Sequence, residues 1–221
     1  MWTHKKSWIR YALLALVLLL ITQLARETSN SRRNVYSISC ENKAFYLFSL
    51  IKGYENSTGR ALSVVMQDES GSSVHSWRTA VFADTNREFA NQYDFTKPWN
   101  WKNNLEIAIS EGGLFSCVNN SSSSQITNYV AITDHKTGRT SLCSGGIYPE
   151  KKGDYIVIIE FPNSNIVWTE PRDVDISELK NLIPGNDTGG IAVLFSSGRT
   201  DRLSVDEIVK LSTRNDLISR E

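Results

Sequence analysis

An apolar run near the amino terminus constrains this chain more strongly than any other feature. Every residue from Tyr11 to Ile21 is apolar, and Trp8, Ile9 and Leu24 extend the run at its two ends. At a rise of about 1.5 Å per residue, a helix over this stretch would be roughly 25 Å long, close to the thickness of the hydrocarbon core of a bilayer. The sequence therefore predicts a transmembrane helix at residues 8–24.

The residues before this run predict the orientation of the helix. They include four basic side chains, His4, Lys5, Lys6 and Arg10. Because positive charge beside a membrane helix favours the cytoplasmic side, we expect a single-pass cell membrane protein with residues 1–7 in the cytoplasm and the C-terminal domain extracytoplasmic. A cleaved signal peptide has a similar pattern and is the alternative. The segment from Thr22 to Arg26 offers no clear small-residue cleavage site, which favours a retained anchor.

A second helical pattern follows the apolar run. Its apolar residues have the spacing of a helix with one buried face: Ala44, Phe45, Leu47, Phe48 and Ile51. No proline or glycine lies between Trp8 and Lys52, so one long helix can continue from the membrane into a stalk at residues 25–58 that packs on the head. The polar stretch at residues 28–31 would equally allow two separate helices.

Residues 59–221 predict a domain of mixed α and β structure. Runs rich in β-branched and aromatic residues predict strands at residues 61–66, 127–133, 155–161 and 165–169, and a hairpin of residues 191–195 with 199–203. Helical composition is found at residues 87–93 and 103–110, and residues 76–83 are ambiguous. Two capping boxes, Asp175 with Glu178 and Ser204 with Glu207, predict helices at residues 176–183 and 205–212.

Charge and cysteine content argue against a nucleic-acid partner and against a zinc site. Lys and Arg number 24 and Asp and Glu number 24, so no basic surplus indicates a nucleic-acid partner. The three cysteines, Cys40, Cys117 and Cys143, are too few and too scattered for a zinc site. In an oxidising compartment they can form one disulfide and leave one thiol; three separate buried thiols are the alternative.

The candidate catalytic residues are few. His75 is followed by Ser76, but adjacent side chains of a strand point to opposite faces, which argues against a Ser–His contact. We therefore expect a structural histidine and no enzymatic activity. Tryptophans at 77, 99, 101 and 168 are candidates for lining a glycan or peptide groove, with core packing as the alternative.

An acidic cluster provides the candidate metal ligands, which are Glu160, Glu170, Asp173 and Asp175. Carboxylate oxygens are what Ca²⁺ requires, and no other cofactor is expected. Arg172 lies inside the cluster and offers an alternative, because it can pair with Glu170 or Asp173.

Several longer motifs occur in one order along the chain. They are HSWRTAVFAD, NQYDFTKPWNWKNN, TNYVAI, IVIIEFPNSNIVWTEPRDV and GGIAVLFSSGRTDRLS. Together they resemble a large planctomycete pilin-like family known as a domain of unknown function, number fifteen fifty-nine in that series. The resemblance covers residues 26–211. It implies an α+β fold in which a prepilin-like transmembrane helix leads into a head of antiparallel sheet and short helices, similar to type II secretion pseudopilins.

The same resemblance implies a disulfide. Ala25-Arg26-Glu27 and the segment from Cys40 to Lys43 resemble the helix signature of the family, and Phe115-Ser-Cys117 resembles its second cysteine segment. The pair implied is Cys40 with Cys117. Pseudopilin heads as a class also hold metal sites, which adds to the hypothesis of a Ca²⁺ site.

The amino terminus departs from the family pattern. Members usually carry a basic residue, a glycine and then Phe-Thr-Leu-(Ile/Val)-Glu, whereas Lys6-Ser-Trp-Ile-Arg10 stands in that place here. We therefore expect a membrane-anchored pilin-like structural or interaction protein, with protein partners or self-assembly. The alternatives are a minor pseudopilin of a type II secretion or type IV pilus-like machine, and an anchored glycan- or metal-binding head.

Overall fold

The structure, a computed structural model, describes residues 3–63, 65–117, 125–136, 138–142, 154–182 and 190–208. One helix, α1, extends from Thr3 to Thr58 and contains 56 residues, about 84 Å at 1.5 Å per residue. The polar stretch does not break it, and the Thr28 hydroxyl donates to the Leu24 carbonyl oxygen at 2.7 Å within the continuous helix. The alternative of two helices is therefore wrong. Gly59 ends the helix with a φ of 65°.

The two halves of α1 have different surroundings. Every side chain from Tyr11 to Val35 is exposed, and this half is long and apolar enough to cross a membrane. The second half packs on the head through a stripe of buried residues, Cys40, Ala44, Leu47, Leu50 and Ile51. Phe45 departs from the prediction, because its side chain is 55% exposed on the opposite face of the helix.

The head contains an antiparallel sheet, as the sequence predicts. Its strands are β4 (Tyr129–Asp134), β5 (Arg139–Thr140), β6 (Ile156–Glu160), β9 (Ile191–Phe195) and β10 (Thr200–Leu203), in the spatial order β10-β9-β6-β4-β5. β8 (Val174–Asp175) adds the one parallel pairing among the described strands, against β4. Two small antiparallel pairs lie outside it, β1 (Val65–Gln67) with β2 (Ser73–Ser76), and β3 (Ile126–Thr127) with β7 (Ile166–Val167).

Short helices connect the strands. α2 (Trp77–Thr85), α3 (Arg87–Gln92) and α4 (Lys102–Glu111) precede the sheet, with 3₁₀ turns at Gly112–Leu114 and Ile176–Asn181. α3 and α4 confirm the predicted helices, whereas the capping box at Asp175 opens a 3₁₀ turn rather than an α-helix. The box at Ser204 opens a helix at residues 205–208, and its predicted remainder lies outside the described residues. The ambiguous segment is helical, because the Ser76 hydroxyl caps it by accepting from the Thr79 amide.

One predicted strand is interrupted. Residues 127–133 divide into β3 and β4 at Asn128. The Asn128 side chain accepts from the Cys117 amide at 2.7 Å and donates to the Pro162 carbonyl oxygen at 3.1 Å. These contacts use Asn128 to join three segments. The pairing partner therefore changes at this residue, from β7 beside β3 to β6 beside β4.

The sheet is buried on both faces. Tyr129 and Ala131 face a core that includes α1 and the short helices, whereas Val130 and Ile132 face a second core closed by Leu179 and its neighbours. This alternation follows from the two-residue period of a strand. α1 is therefore one wall of the first core rather than an appendage of the head.

The hairpin of β9 and β10 confirms another prediction, and its glycine contacts α1. Gly198 has a φ of 87°, and a Cβ built there would lie 2.6 Å from a ring carbon of Phe48. Only glycine fits both the left-handed backbone and this close approach. The close packing of this turn against α1 therefore requires glycine at position 198.

Replacing Gly198 by alanine should lower the free energy of unfolding by about 2–4 kcal/mol, the sum of about 1 kcal/mol of backbone strain and about 1–3 kcal/mol of overpacking. Urea unfolding of the full chain in detergent micelles, followed by tryptophan fluorescence, measures the loss. Gly71 is the matched control, because its φ is 80° but a Cβ added there would have no atom within 4 Å. Equal losses at Gly198 and Gly71 would contradict the role of the Phe48 contact.

Candidate functional site

The structure joins Cys40 of α1 to Cys117 of the head by a disulfide, with Cα atoms 5.7 Å apart. This is the pair that the resemblance implies, and the Cα separation is usual for a disulfide. Cys143 lies outside the described residues. The bond closes a chain segment of 77 residues and fixes the point at which the long helix meets the head.

Polar contacts surround the disulfide and complete what we call the helix–head junction, formed by Cys40, Lys43, Cys117, Tyr129 and Arg202. The Lys43 ammonium donates to the carbonyl oxygens of Gly113 at 2.9 Å and Ser116 at 2.6 Å. The Tyr129 hydroxyl donates to the Cys40 carbonyl oxygen at 2.9 Å. These contacts hold one turn of α1 from two sides.

Arg202 holds the junction from β10. Its guanidinium donates to the Ser37 carbonyl oxygen at 3.3 Å and to the Gly190 carbonyl oxygen at 2.6 Å. It also lies 3.9 Å from the Glu41 carboxylate and 3.7 Å from the Glu160 carboxylate. One largely buried cation of β10 therefore connects α1, β6 and the residue before β9.

Burial at the junction shifts two pKa values. Desolvation lowers the pKa of Lys43 from its ordinary value, although its two carbonyl partners stabilise the ammonium. Burial, followed by the charge of Glu160, raises the pKa of Tyr129 well above its ordinary value, so its hydroxyl stays a proton donor. Both groups donate hydrogen bonds to backbone carbonyl oxygens at the junction.

The sequence does not single out Lys43, Tyr129 or Arg202. Lys43 is visible only as part of the segment that begins at Cys40, and Arg202 as part of a strand. Their partners are carbonyl oxygens 70 or more residues away for Lys43 and 165 residues away for one contact of Arg202. A hydrogen bond to a distant backbone atom leaves no local pattern in the sequence.

The four predicted metal ligands do not come together. Among the described residues, no three of Glu160, Glu170, Asp173 and Asp175 offer oxygens within ligand distance of one another. Each carboxylate has protein partners instead, and the four do not form the acidic Ca²⁺ cluster that the sequence suggests. Glu160 accepts from the Ala192 amide at 3.2 Å, and Glu170 pairs with Arg172 at 3.0 Å. Asp175 accepts from the amides of His135 and Ser177, each at 2.9 Å.

Asp173 is the most completely enclosed of the four. Its carboxylate accepts from the Arg78 guanidinium at 2.7 Å, from the Ala131 amide at 2.8 Å and from the Trp77 indole at 3.1 Å. Both side chains of the Arg78–Asp173 pair are fully buried. Burial raises the pKa of Asp173, and the Arg78 guanidinium opposes that shift. The pair connects α2 and β4 to the residue before β8, and protein donors occupy the carboxylate oxygens.

One other set of candidate ligands lies at the junction itself. Ligand atoms of Cys40, Cys117 and Glu160 lie within 4.8 Å of one another. Metal ions bind cysteine as the thiolate, and the disulfide consumes both thiols. The junction is therefore a covalent connection and not a metal centre in this oxidised form.

His75 and Ser76 use their polar atoms for structural contacts. The His75 Nε2 donates to the Phe95 carbonyl oxygen at 3.1 Å, which leaves Nδ1 to accept from the Tyr93 hydroxyl at 2.9 Å. The Ser76 hydroxyl donates to the Trp168 carbonyl oxygen at 2.7 Å. Burial lowers the pKa of His75, which agrees with this neutral arrangement.

The tryptophans do not form one groove. Trp77 and Trp168 are fully buried, and Phe115 stacks on Trp168 with ring centres 5.0 Å apart. The Trp168 indole donates to the Ala108 carbonyl oxygen at 2.8 Å. Of the four, Trp101 is the most exposed, at 37%, and Trp99 is half-buried. Core packing therefore explains the two buried rings.

Comparison with protein-family models, with curated proteins and with solved structures finds no match for this chain. The pilin-like resemblance therefore stays a prediction, and the function has to be inferred from the geometry of the molecule.

Replacing Asp173 by asparagine should lower the free energy of unfolding by about 3–5 kcal/mol, because the Arg78 guanidinium would stay buried without a counter-charge. Urea unfolding of the full chain in micelles checks this loss. Arg172→Met is the matched control, since it removes a partly exposed pair with Glu170 worth at most about 1 kcal/mol. A loss at Asp173 no larger than at Arg172 would contradict the structural role of the buried pair.

Replacing His75 by glutamine should weaken the pH dependence of stability between about pH 7 and pH 5. A histidine whose pKa is lowered by folding stabilises the protein fully above its unfolded pKa of about 6.5, and this stability is lost as the pH falls through the folded pKa. Urea midpoints across this range measure the slope. His135→Gln is the control, because that ring is 73% exposed. Equal slopes in wild type and His75→Gln would contradict the prediction.

Proposed function

We propose that this chain is a single-pass membrane-anchored pilin-like structural or interaction protein that holds its head outside the cytoplasm. The observation that carries the proposal is the continuity of α1, whose exposed apolar half leads without a break into a half that forms a wall of the head core. Because the membrane helix and the stalk are one element, the anchor positions the head rather than only retaining it.

The disulfide supports the orientation. Disulfides persist in oxidising compartments outside the cytoplasm, and the Cys40–Cys117 bond belongs to the head. The basic residues before the apolar run favour a cytoplasmic amino terminus, so both arguments give the same topology.

The stalk sets the distance between the apolar run and the head. Residues 25–35 are exposed, and the first turn held by the head begins at Ser37 and Cys40. From Leu24 to Cys40 a helix rises about 24 Å, so the junction stands at roughly that height above the apolar run. A rigid spacer of this kind suits a protein that presents a surface to partners. The contacts of His75, Ser76 and the four carboxylates give no support for an enzymatic role.

A minor pseudopilin is the second candidate. The long helix with a head packed on its second half favours it, whereas the lack of a glycine and a glutamate in Lys6-Ser-Trp-Ile-Arg10 argues against processing as a prepilin. The two candidates differ in whether the amino terminus is cut.

Mass spectrometry of the intact protein from native membranes should give the full-length mass, with a gain of about two daltons on reduction of one disulfide. The full-length mass supports an uncut anchor. Loss of about six to ten residues would favour the pseudopilin, and loss through Ala25 would contradict the anchor and indicate a signal peptide. Protease added to intact spheroplasts is the control for topology, because it should digest the head only if the head is outside.

A further inference from the structure

A second apolar stripe follows α1 on the face that points away from the head. Its residues alternate in steps of four and three, which is the spacing of positions a and d in a coiled coil. In that order they are Leu24, Thr28, Ser31, Val35, Ile38, Asn42, Phe45 and Ser49. All eight side chains are exposed. We call this set the outer stripe.

The outer stripe lies opposite the face that packs on the head. The buried residues Cys40, Ala44, Leu47 and Ile51 each follow a residue of the outer stripe by two positions. Two positions turn an α-helix by about 200°, so the two stripes lie on opposite sides of α1. The head therefore covers one side of the helix and leaves the outer stripe accessible along its whole length.

Three residues of the outer stripe are apolar although they lie beyond the proposed membrane segment. Val35, Ile38 and Phe45 are 62%, 58% and 55% exposed, although all three lie beyond the apolar run. Apolar side chains aligned on one face of a water-exposed helix indicate a surface that another helix covers.

Part of the outer stripe has the residue types of a parallel coiled coil of two helices. Val35 places a β-branched aliphatic side chain at an a position and Leu24 occupies a d position, a combination that favours parallel dimers, whereas Ser31, Ile38 and Phe45 occupy the other d positions. Asn42 occupies another a position, where a single asparagine specifies register and oligomer state. The same spacing continues back into the apolar run through Leu14, Val17 and Ile21.

Charges beside the stripe fit a second copy of this chain. Glu27 occupies position g and Arg32 occupies position e of the next heptad, and both line one shallow groove on α1 with Thr28, Ser31, Val35 and Tyr36. Within one helix, side chains five positions apart do not meet, since neighbours are three or four apart. In a parallel pair, position g of one helix faces position e of the next heptad in its partner. Glu27 would then meet Arg32 of the other copy, twice by symmetry.

We propose that two copies of this chain pair in parallel and in register along the outer stripe of α1, with the two heads on opposite outer sides. This inference rests on the proposed function, because insertion in one membrane gives both helices the same direction. Four of the eight positions are polar, so the water-exposed part alone pairs weakly. Confinement of both copies to one membrane raises their effective concentration and compensates for this weakness.

Cysteine cross-linking in native membranes tests the pairing. In a Cys143→Ser background, single cysteines replace Thr28, Ser31, Val35 or Ile38 on the stripe, or the controls Ser29, Asn30 and Arg33 on the other faces. Oxidation should give disulfide-linked dimers at the stripe positions and at least about fivefold less at the controls, because only a and d residues meet their own copies. Equal yields at both sets, or no dimer at the stripe, would overturn the proposal. A staggered pairing would also overturn it, because identical positions would not meet.

A charge exchange tests the register independently. In the Val35→Cys chain, Glu27→Arg or Arg32→Glu alone should lower the dimer yield about threefold to tenfold, because like charges would face each other. Combining both changes should restore the yield. Single changes without effect, or a double variant that stays low, would overturn the in-register pairing. Both sites are exposed and lie before the junction, so the head should fold in every variant.

Failure of the anchor and failure of the pairing give different results. Membranes are washed with alkaline carbonate before oxidation, and the chain is followed in the retained fraction. A chain released by carbonate would contradict the anchor on which the inference rests. A chain that is retained but forms no dimers at the stripe positions would overturn the pairing alone.

Discussion

The packing of α1 into the head determines the rest of this structure. The buried side of α1, from Cys40 to Ile51, is part of the same core as Tyr129 and Ala131 of the central strand. Removing that helix would expose one face of the sheet to water. The apolar half of α1 and the fold of the head are therefore not independent, because the helix that carries the apolar run also completes the hydrophobic core.

Polar contacts strengthen this arrangement where apolar packing cannot specify it. Apolar contact alone would tolerate small rotations or shifts of α1. The Cys40–Cys117 disulfide, the two bonds of Lys43 and the bridge of Arg202 each allow one position of the helix. The buried Arg78–Asp173 pair has the same role between α2 and the residue before β8. Specific geometry in this head thus comes from a few buried polar groups inside a largely apolar interior.

Sequence patterns locate what depends on neighbouring residues. The apolar run, the period of α1 and the β9–β10 hairpin all follow from local spacing or turn chemistry, and the structure contains each of them. The interruption at Asn128 is not predictable in this way, because it depends on an amide 11 residues away and a carbonyl 34 residues away. The acidic cluster fails for a related reason. Closeness in sequence suggests a shared ligand, whereas Asp173 is enclosed by Arg78 from 95 residues away.

The unbroken course of α1 has a mechanical consequence. A helix without glycine or proline between Trp8 and Lys52 has no hinge, and the junction prevents the head from pivoting at the far end. Membrane helices tilt by about 20° on average, and the angle varies with bilayer thickness. If α1 crosses a membrane as proposed, such a tilt over the roughly 24 Å between Leu24 and Cys40 would move the junction sideways by about 8 Å and incline the head by the same angle. In the proposed topology, the tilt of the head would therefore change with the thickness of the bilayer.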